Sequence, residues 1–367
     1  MSPPWETVPD PPETPDFPAE PTPVSADFKG WQKSLSEAIR SRSELLRHVH
    51  LESLISDSCS ADQDFPVVVP LSYIRRMRTG DPRDPLLLQV LPTELENRAS
   101  PGSHSGERDP TVDLAIKTAP GLLHKYHGRA LLIAHGSCAV HCRYCFRRHY
   151  PYGDDPKSLT DWQPALDAIL SDNSLHEIIL SGGDPLLLSD GRLKGLLDRL
   201  AEIPHVRRLR IHSRLPIVLP DRVTRGLLDC LRGTRFQTFV VVHANHAHEL
   251  VDDCETALQQ LIRSGIPVLN QAVLLRKVND SVEALAELCE RCIDLGVMPY
   301  YLHQLDRVRG AVHFEVDPHL GLQLISELRA RLPGYAVPRY VREIPGERSK
   351  TVIESSAEGQ RCPEGTG

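Results

Sequence analysis

The stretch GSCAVHCRYCFRRHYP, residues 136–151, contains three cysteines with the spacing C-x3-C-x2-C. Cys138, Cys142 and Cys145 come directly after a short apolar run that ends at His135. A closed structural zinc site has four protein ligands, whereas three thiolates on a cluster of four irons leave one iron open to another ligand. The pattern therefore predicts a [4Fe–4S] cluster with one open iron. Incidental loop cysteines and a zinc site that lacks its fourth ligand are the alternatives.

Short apolar runs, often rich in β-branched residues, recur from this point along the chain. They occupy residues 130–135, 177–182, 207–213, 237–243, 266–275 and 297–305. Helical patterns lie between most of them, at 160–171, 190–201, 221–232, 247–264 and 281–295. Alternation of strand and helix about every 30 residues is typical of β-α-β units in a parallel sheet. The sequence therefore predicts an α/β fold built on a partial (β/α)6 barrel of the TIM type, with the cysteines on the side where such barrels carry their chemistry.

Composition and pattern divide the chain into four predicted regions. These are a disordered Pro-rich tail (1–25), a helical N-terminal region (26–115), the partial barrel (116–305) and a C-terminal segment (306–367). The tail is acidic, and such segments bury too little apolar surface to fold. Within the C-terminal segment, residues 318–332 predict a helix and GYAVPRYVREI predicts a last strand.

Length and charge exclude several classes of protein. The 367 residues carry a formal charge of -7, which gives no reason to expect a nucleic-acid partner. No apolar run approaches the roughly 20 residues that span a bilayer, and the acidic start is unlike a signal peptide. Nine cysteines in a long chain indicate reduced thiols or cluster ligands in a cytoplasmic protein, and not a secreted disulfide framework.

A glycine pair lies at the end of the second predicted strand. Gly182, Gly183 and Asp184 belong to the segment LSGGDPLL. Two glycines allow the backbone to approach a ligand closely, although Gly-Gly-Asp is also a favourable turn. The motif is weak when taken alone, and its position after a barrel strand is what favours a binding role.

The cysteine spacing resembles that of the radical S-adenosylmethionine (SAM) superfamily, and further segments resemble lysine 2,3-aminomutases. The segments are PGLLHKYHGRALL, CRYCFRRHYPY, LSGGDPLL, RIHSRLPIVLP, NQAVLLRKVND, MPYYLHQLD and PGYAVPR. The form CRYCFRRHYPY is most similar to the branch that supplies β-lysine for elongation factor P. The resemblance implies a radical SAM barrel with a C-terminal segment that binds pyridoxal phosphate (PLP), and an isomerase that converts L-α-lysine to (R)-β-lysine.

The resemblance also implies roles for individual residues around the cofactors. Cys138, Cys142 and Cys145 would bind the [4Fe–4S] cluster, whose open iron chelates SAM, and Gly182, Gly183 and Asp184 would hold the SAM amino group. Lys350 would form the Schiff base with PLP, with Lys125 and Arg129 at its phosphate and Tyr126 near its ring. A solvated lysine in a polar loop is the alternative for Lys350, and an ordinary solvated basic stretch is the alternative for Lys125, Tyr126 and Arg129. The segment GERS before Lys350 is less glycine-rich than its counterpart elsewhere in the family.

Three more residues would bind the substrate. Arg147 matches the family's position for the carboxylate of lysine, a role that suits a guanidinium fork. Asp306 and Glu343 match its two acidic positions for the ε-ammonium, where the better-known clostridial-type enzymes have Asp in place of Glu343. A loop carboxylate and a surface strand residue are the alternatives. Acidic residues at both positions favour lysine over glutamate as substrate.

The implied partners are free lysine, elongation factor P with its lysine ligase, and a reductant such as flavodoxin or ferredoxin. The oligomeric state stays open, because the zinc-binding extension of many relatives has no counterpart in the sequence after Lys350. An aminomutase for another amino acid, a radical SAM maturase of a protein substrate, and a non-catalytic iron–sulfur or zinc module are the alternative functions. His243, His246 and His248 predict a histidine-lined pocket, and Cys289 with Cys292 predict a helix face.

Overall fold

A computed structural model describes residues 30–354, except residues 56–58, 60, 98–105 and 157. The predicted disordered tail, residues 1–25, lies outside the described residues. No helix in the described ranges has the length and apolar character needed to cross a bilayer.

One sheet organises this part of the chain, and its strands lie side by side in sequence order. The strands are β1 (Lys117–Ala119), β2 (Leu122–Tyr126), β3 (Arg129–His135), β4 (Glu177–Gly182), β5 (Arg208–His212), β6 (Gln237–Val242), β7 (Val268–Leu274), β8 (Met298–Gln304), β9 (Arg339–Arg342) and β10 (Thr351–Val352). Strands β3 to β9 are parallel. Strands β1 and β2 form an antiparallel edge beside β3, and β10 is antiparallel to β9.

The six predicted barrel strands correspond to β3 through β8, and helices connect them as predicted. The helices of this part are α6 (Gln163–Ser171), α7 (Asp190–Ala201), α8 (Leu215–Val218), α9 (Arg225–Arg232), α10 (Asp253–Arg263), α11 (Val282–Asp294) and α12 (Pro318–Arg331). Their apolar faces pack on the sheet, as Leu193, Leu196 and Leu200 of α7 do. The predicted α/β fold with a partial barrel is therefore confirmed, and β9 joins the same sheet from the C-terminal segment.

The prediction of a helix face at Cys289 and Cys292 is also confirmed. Both thiols lie on α11 and are 3% and 1% exposed. Burial raises the pKa of Cys289 to about 12 and raises that of Cys292 well above its ordinary value. Both cysteines therefore act as small apolar core residues.

The N-terminal region, for which the sequence predicts helix, forms several short helices. These are α1 (Gly30–Ser36), α2 (Arg42–His48), α3 (Ala61–Asp64), α4 (Leu71–Ile74) and α5 (Pro85–Leu88). Helix α5 begins at Pro85 because Asp84 caps it, accepting from the N–H groups of Leu86 and Leu87 at 2.9 Å. Pro85 occupies the first turn, where a missing N–H costs nothing.

Candidate active site

A cavity of about 1060 Å³ lies within the curved sheet, lined by residues of the strands and of the loops that follow them. All of the site residues predicted from the sequence line it. They are Cys138, Cys142, Cys145, Gly182, Gly183, Asp184, Lys125, Tyr126, Arg129, Arg147, Asp306, Glu343 and Lys350. The fold thus brings together residues that are up to 225 positions apart in the sequence, Lys125 and Lys350 being the extremes.

The cysteine loop is fixed to the N-terminal region. Arg143 is fully buried and donates to Glu96 Oε1 at 2.8 Å and to Oε2 at 2.6 Å. Arg148 Nη2 donates to the same Oε2 at 2.8 Å. The backbone N–H of Arg143 also donates to the Gln89 carbonyl at 2.8 Å. These bonds hold the segment that carries the three cysteines in one conformation.

The three thiols lie within electrostatic reach of one another. Burial raises the pKa of Cys138 well above its ordinary value, and a charge on Cys145 would raise it further. Burial and then the charge of Cys142 raise the pKa of Cys145 to about 11. If all three thiols were ionised, they would need a cationic group between them, and the irons of a cluster would supply it. Within the described ranges no three His, Cys, Asp or Glu side chains converge on one metal ion; on a four-iron cube each thiolate binds a different iron.

The glycines at the end of β4 allow that strand to contact the cysteine loop. A Cβ on Gly183 would lie 2.3 Å from the Ser137 carbonyl oxygen, and one on Gly182 would lie 2.6 Å from that of His135. Gly182 also has φ +119°, a conformation that favours glycine. The pair therefore sets the contact between the two segments at the predicted SAM position.

The carboxylate of Asp184 is buried among donors. It accepts from Ser213 Oγ at 2.7 Å and from the N–H groups of Leu186, Arg214 and Leu215 at 3.0, 2.8 and 3.2 Å. Burial raises the pKa of Asp184 to about 6 in spite of these bonds. The side chain thus joins the loops after β4 and β5, and Asp184 belongs to the cavity lining.

The predicted PLP and substrate residues meet at Glu343. Lys350 Nζ lies 2.7 Å from Glu343 Oε2, and Lys125 Nζ lies 2.5 Å from Oε1. Tyr126 donates its hydroxyl proton to the same carboxylate, and the Arg129 guanidinium lies 4.7 Å from the Tyr126 ring centre. Although burial opposes ionisation, the two lysines hold the pKa of Glu343 at about 2.

Arg147 lines the cavity, and one side of its guanidinium already makes hydrogen bonds within the protein. Its Nε donates to Asp113 Oδ2 at 2.7 Å, and its Nη1 donates to Ser181 Oγ at 3.3 Å. Asp113 is held in turn by its own N–H, which donates to Asp109 at 2.9 Å. Sequence reasoning missed Asp113 because it lies in an irregular polar segment without a motif.

Comparison with curated proteins gives close relatives over most of the chain. The chain is 46% identical over 326 residues to an L-lysine 2,3-aminomutase from Escherichia coli, covering 88% of this chain and 94% of the relative. It is 41% identical over 331 residues to one from Haemophilus influenzae, covering 90% and 97%. A Clostridium subterminale L-lysine 2,3-aminomutase is 34% identical over 331 residues, covering 89% and 78%. The chain belongs to the lysine 2,3-aminomutase family. Members of this family are isomerases, and the chain is therefore an enzyme of that class.

Solved structures give weaker similarity than the lysine 2,3-aminomutases do. A radical SAM methyltransferase from Sphaerobacter thermophilus matches with a TM-score of 0.44 at 18% identity, covering 60% of this chain and 68% of the other. The protein anSMEcpe with bound AdoMet matches with a TM-score of 0.42 at 11% identity, covering 55% and 58%. Comparison with models of protein families gave no match.

This member of the lysine 2,3-aminomutase family has an arginine at the site that sequence reasoning also missed. Arg214 follows β5, and its Nη1 donates to Cys142 Sγ at 2.6 Å. Its Nε is buried without a hydrogen-bond partner among the described residues, so a donor remains for another acceptor beside the cysteines. Arg214 lies in the segment RIHSRLPIVLP, which is among those that carry the family resemblance, but nothing in the sequence marks its contact with Cys142.

The histidines of the segment VVHANHAHE divide into two groups. His243 lines the cavity with His212 and His303, and burial lowers the pKa of His243 to about 4 and those of the other two well below the ordinary value. These imidazoles are therefore neutral donors and acceptors. His246 and His248 lie outside the cavity lining, with their rings 4.4 Å apart. The predicted histidine-lined pocket is confirmed for His243 only.

Proposed function

We propose that this enzyme is a radical SAM, PLP-dependent L-lysine 2,3-aminomutase that converts L-α-lysine to (R)-β-lysine for the modification of elongation factor P. The observation that carries the proposal is the single cavity that joins the cysteine loop to Lys350 and to the acidic pair Asp306 and Glu343. The relatives named L-lysine 2,3-aminomutase support the same substrate.

The residues present fit the two organic cofactors. The cysteines would hold the cluster that binds and cleaves SAM, and Lys350 is the cavity amine to which the PLP aldehyde would attach. When bound, PLP supplies a π bond through which an amino group can pass between neighbouring carbons. Lys125, Arg129 and Tyr126 lie on β2 and β3 beside Lys350, where cations would hold the phosphate and the tyrosine would contact the ring.

The charges of the cavity suit a substrate that carries both a carboxylate and a distant ammonium. Arg147 is oriented by Asp113, which leaves the guanidinium positioned for a carboxylate. Asp306 and Glu343 supply the acidic end, and a desolvated ammonium needs such partners. A cofactor attached to the Lys350 amine would remove one of the two lysine partners of Glu343, which would leave that carboxylate available to the substrate ammonium.

The test is an anaerobic assay of the reconstituted enzyme with free lysine, SAM and a chemical reductant, in which β-lysine is separated on a chiral column. We expect (R)-β-lysine to form and other amino acids, glutamate included, to be poor substrates. Borohydride should fix one PLP to Lys350 in the wild type and in K194A, an exposed-lysine control, and none in K350A. Zinc in place of iron, or unchanged PLP content in K350A, would contradict the proposal.

The link to elongation factor P requires its own experiment. Purified elongation factor P and its lysine ligase would be added to the assay. Because we place the enzyme in the cytoplasm, a flavodoxin or ferredoxin would replace the chemical reductant. We expect modified elongation factor P when lysine is supplied free. If isomerisation occurred only after lysine was attached to elongation factor P, the protein-attached form would be the substrate.

A further inference from the structure

A buried guanidinium lies against one of the motif sulfurs and is held from its other side. Arg214 is 5% exposed and donates from Nη1 to Cys142 Sγ at 2.6 Å. Its Nη2 donates to Glu249 Oε2 and Gln89 Oε1, both at 2.8 Å, and lies 3.2 Å from the Tyr73 hydroxyl oxygen. These acceptors come from the N-terminal region and from the loop after β6, so the orientation of Arg214 is fixed by two separate parts of the fold.

The main counter-charge of this guanidinium is itself immobile. Glu249 is fully buried and also accepts from Gln89 Nε2 at 3.0 Å and from the N–H groups of Asn245 and His246 at 2.8 and 3.2 Å. Although burial opposes ionisation, Arg214 holds the pKa of Glu249 below its ordinary value. The Glu249 carboxylate is therefore charged and held in place. If Arg214 turned away from Cys142, Glu249 would lose its guanidinium partner in the interior.

A donor of this kind has a defined effect on an iron–sulfur cluster. Hydrogen bonds to the ligand sulfurs are among the factors that set cluster potential. The reduced cluster carries one more negative charge than the oxidised cluster, after accepting one electron from an external reductant. A positive donor at a ligand sulfur stabilises that extra charge and makes reduction easier.

We propose that Arg214 is a positioning residue that raises the reduction potential of the cluster through its hydrogen bond to Cys142. The inference rests on the proposed function in one respect, because Cys142 must be a cluster ligand. It goes beyond that function because it assigns Arg214 a role that neither binding of SAM nor binding of lysine requires.

The test compares the midpoint potential of the reconstituted cluster in wild type, R214K and R214M, by electron paramagnetic resonance during redox titration. SAM, PLP and lysine are left out, so the measurement does not depend on turnover. We expect a more negative potential in R214M. The shift should be smaller in R214K, because lysine keeps the positive charge but lacks the several N–H donors of the guanidinium. R222M is the matched control, because Arg222 is also a buried arginine and donates to the carbonyls of Leu186 and Leu188 without touching a motif cysteine.

The outcomes separate tuning from simple support of the fold. A purely structural role would lower the iron content and leave the potential of the remaining cluster unchanged, and that result would overturn the inference. If R214M does not fold, Y73F removes one acceptor of Arg214 and should shift the potential in the same direction by less; no shift would again overturn it. If the potential is shifted in R214M and the wild type makes no β-lysine, the result would contradict the proposed function and leave the role of Arg214 supported.

Discussion

At the scale of single residues, the acidic residues Glu343 and Asp306 of the cavity differ in charge. Two lysines neutralise Glu343, whereas Asp306 is not neutralised in this way. Glu343 is ionised between Lys125 and Lys350. Burial raises the pKa of Asp306 to about 7, with Lys350 favouring its ionisation and the charge of Glu343 opposing it. The cavity therefore holds a carboxyl group that is only partly ionised near neutral pH, and a further cation such as the substrate ammonium would favour its ionisation.

Asp306 should accordingly make the stability of the cofactor-free protein depend on pH. Its folded-state pKa of about 7 lies above the ordinary 3.8, so the folded state binds the proton more tightly. Stability from this group is complete below about pH 4 and is lost as pH rises through 7, by up to roughly 4 kcal/mol. Urea unfolding at pH 5 and pH 8 should show a smaller loss of stability in D306N than in wild type. Exposed D294N should lose as much as wild type, and equal losses in D306N would refute the prediction.

At the scale of elements, the six barrel strands were predictable because parallel strands buried on both faces form continuous apolar runs. The run VVV of β6, residues 240–242, is fully buried and shows this pattern. The hairpin of β1 and β2 and the two-residue β10 were not predicted. They are short and carry polar residues, and pairing with β3 and β9 creates them more than local sequence does.

The residues of the site, like the strands, divide into those that the sequence predicts and those that it does not. The cysteines and Lys350 could be predicted because motifs mark them along the sequence. The contacts of Arg214 and Asp113 could not, although Arg214 stands in the quoted segment RIHSRLPIVLP, because their partners Cys142 and Arg147 lie 72 and 34 positions away. A single sequence carries no local sign of such pairs.

The attachment of the cysteine loop to the N-terminal region belongs to this scale and can be tested. R143M would leave buried Glu96 with Arg148 as its remaining guanidinium partner among the described residues. Removing one partner of a buried ion pair costs about 3–5 kcal/mol. We expect such a loss in the free energy of unfolding, with lower iron retention after reconstitution.

The matched control for this change is R225M, whose arginine is 88% exposed on α9 beside Asp229. Exposed pairs of this kind contribute little, so R225M should unfold and bind iron as the wild type does. An R143M protein of wild-type stability would show that the loop does not depend on its buried ion pair.

At the scale of the whole molecule, the sheet is open, and side chains near its two edges meet across the cavity. Lys125 and Tyr126 belong to β2, whereas Glu343 and Lys350 belong to the turn between β9 and β10. In the described structure, ionic and hydrogen bonds to one carboxylate connect these edges. A cofactor bound covalently at Lys350 and by its phosphate at Lys125 and Arg129 would connect them more strongly.

Binding of PLP should therefore stabilise the sheet at both edges together. A ligand at 100 times its Kd adds about 2.7 kcal/mol to the folded state, and hydrogen exchange should slow in residues 117–126 and 339–352 alike. Exchange in α11, on the outside of the barrel, should change little below the global unfolding limit. K350A should lose most of the protection at both edges, since the proposed phosphate contacts alone would hold the cofactor weakly. Protection confined to one edge in the wild type would mean that the cofactor binds without joining them.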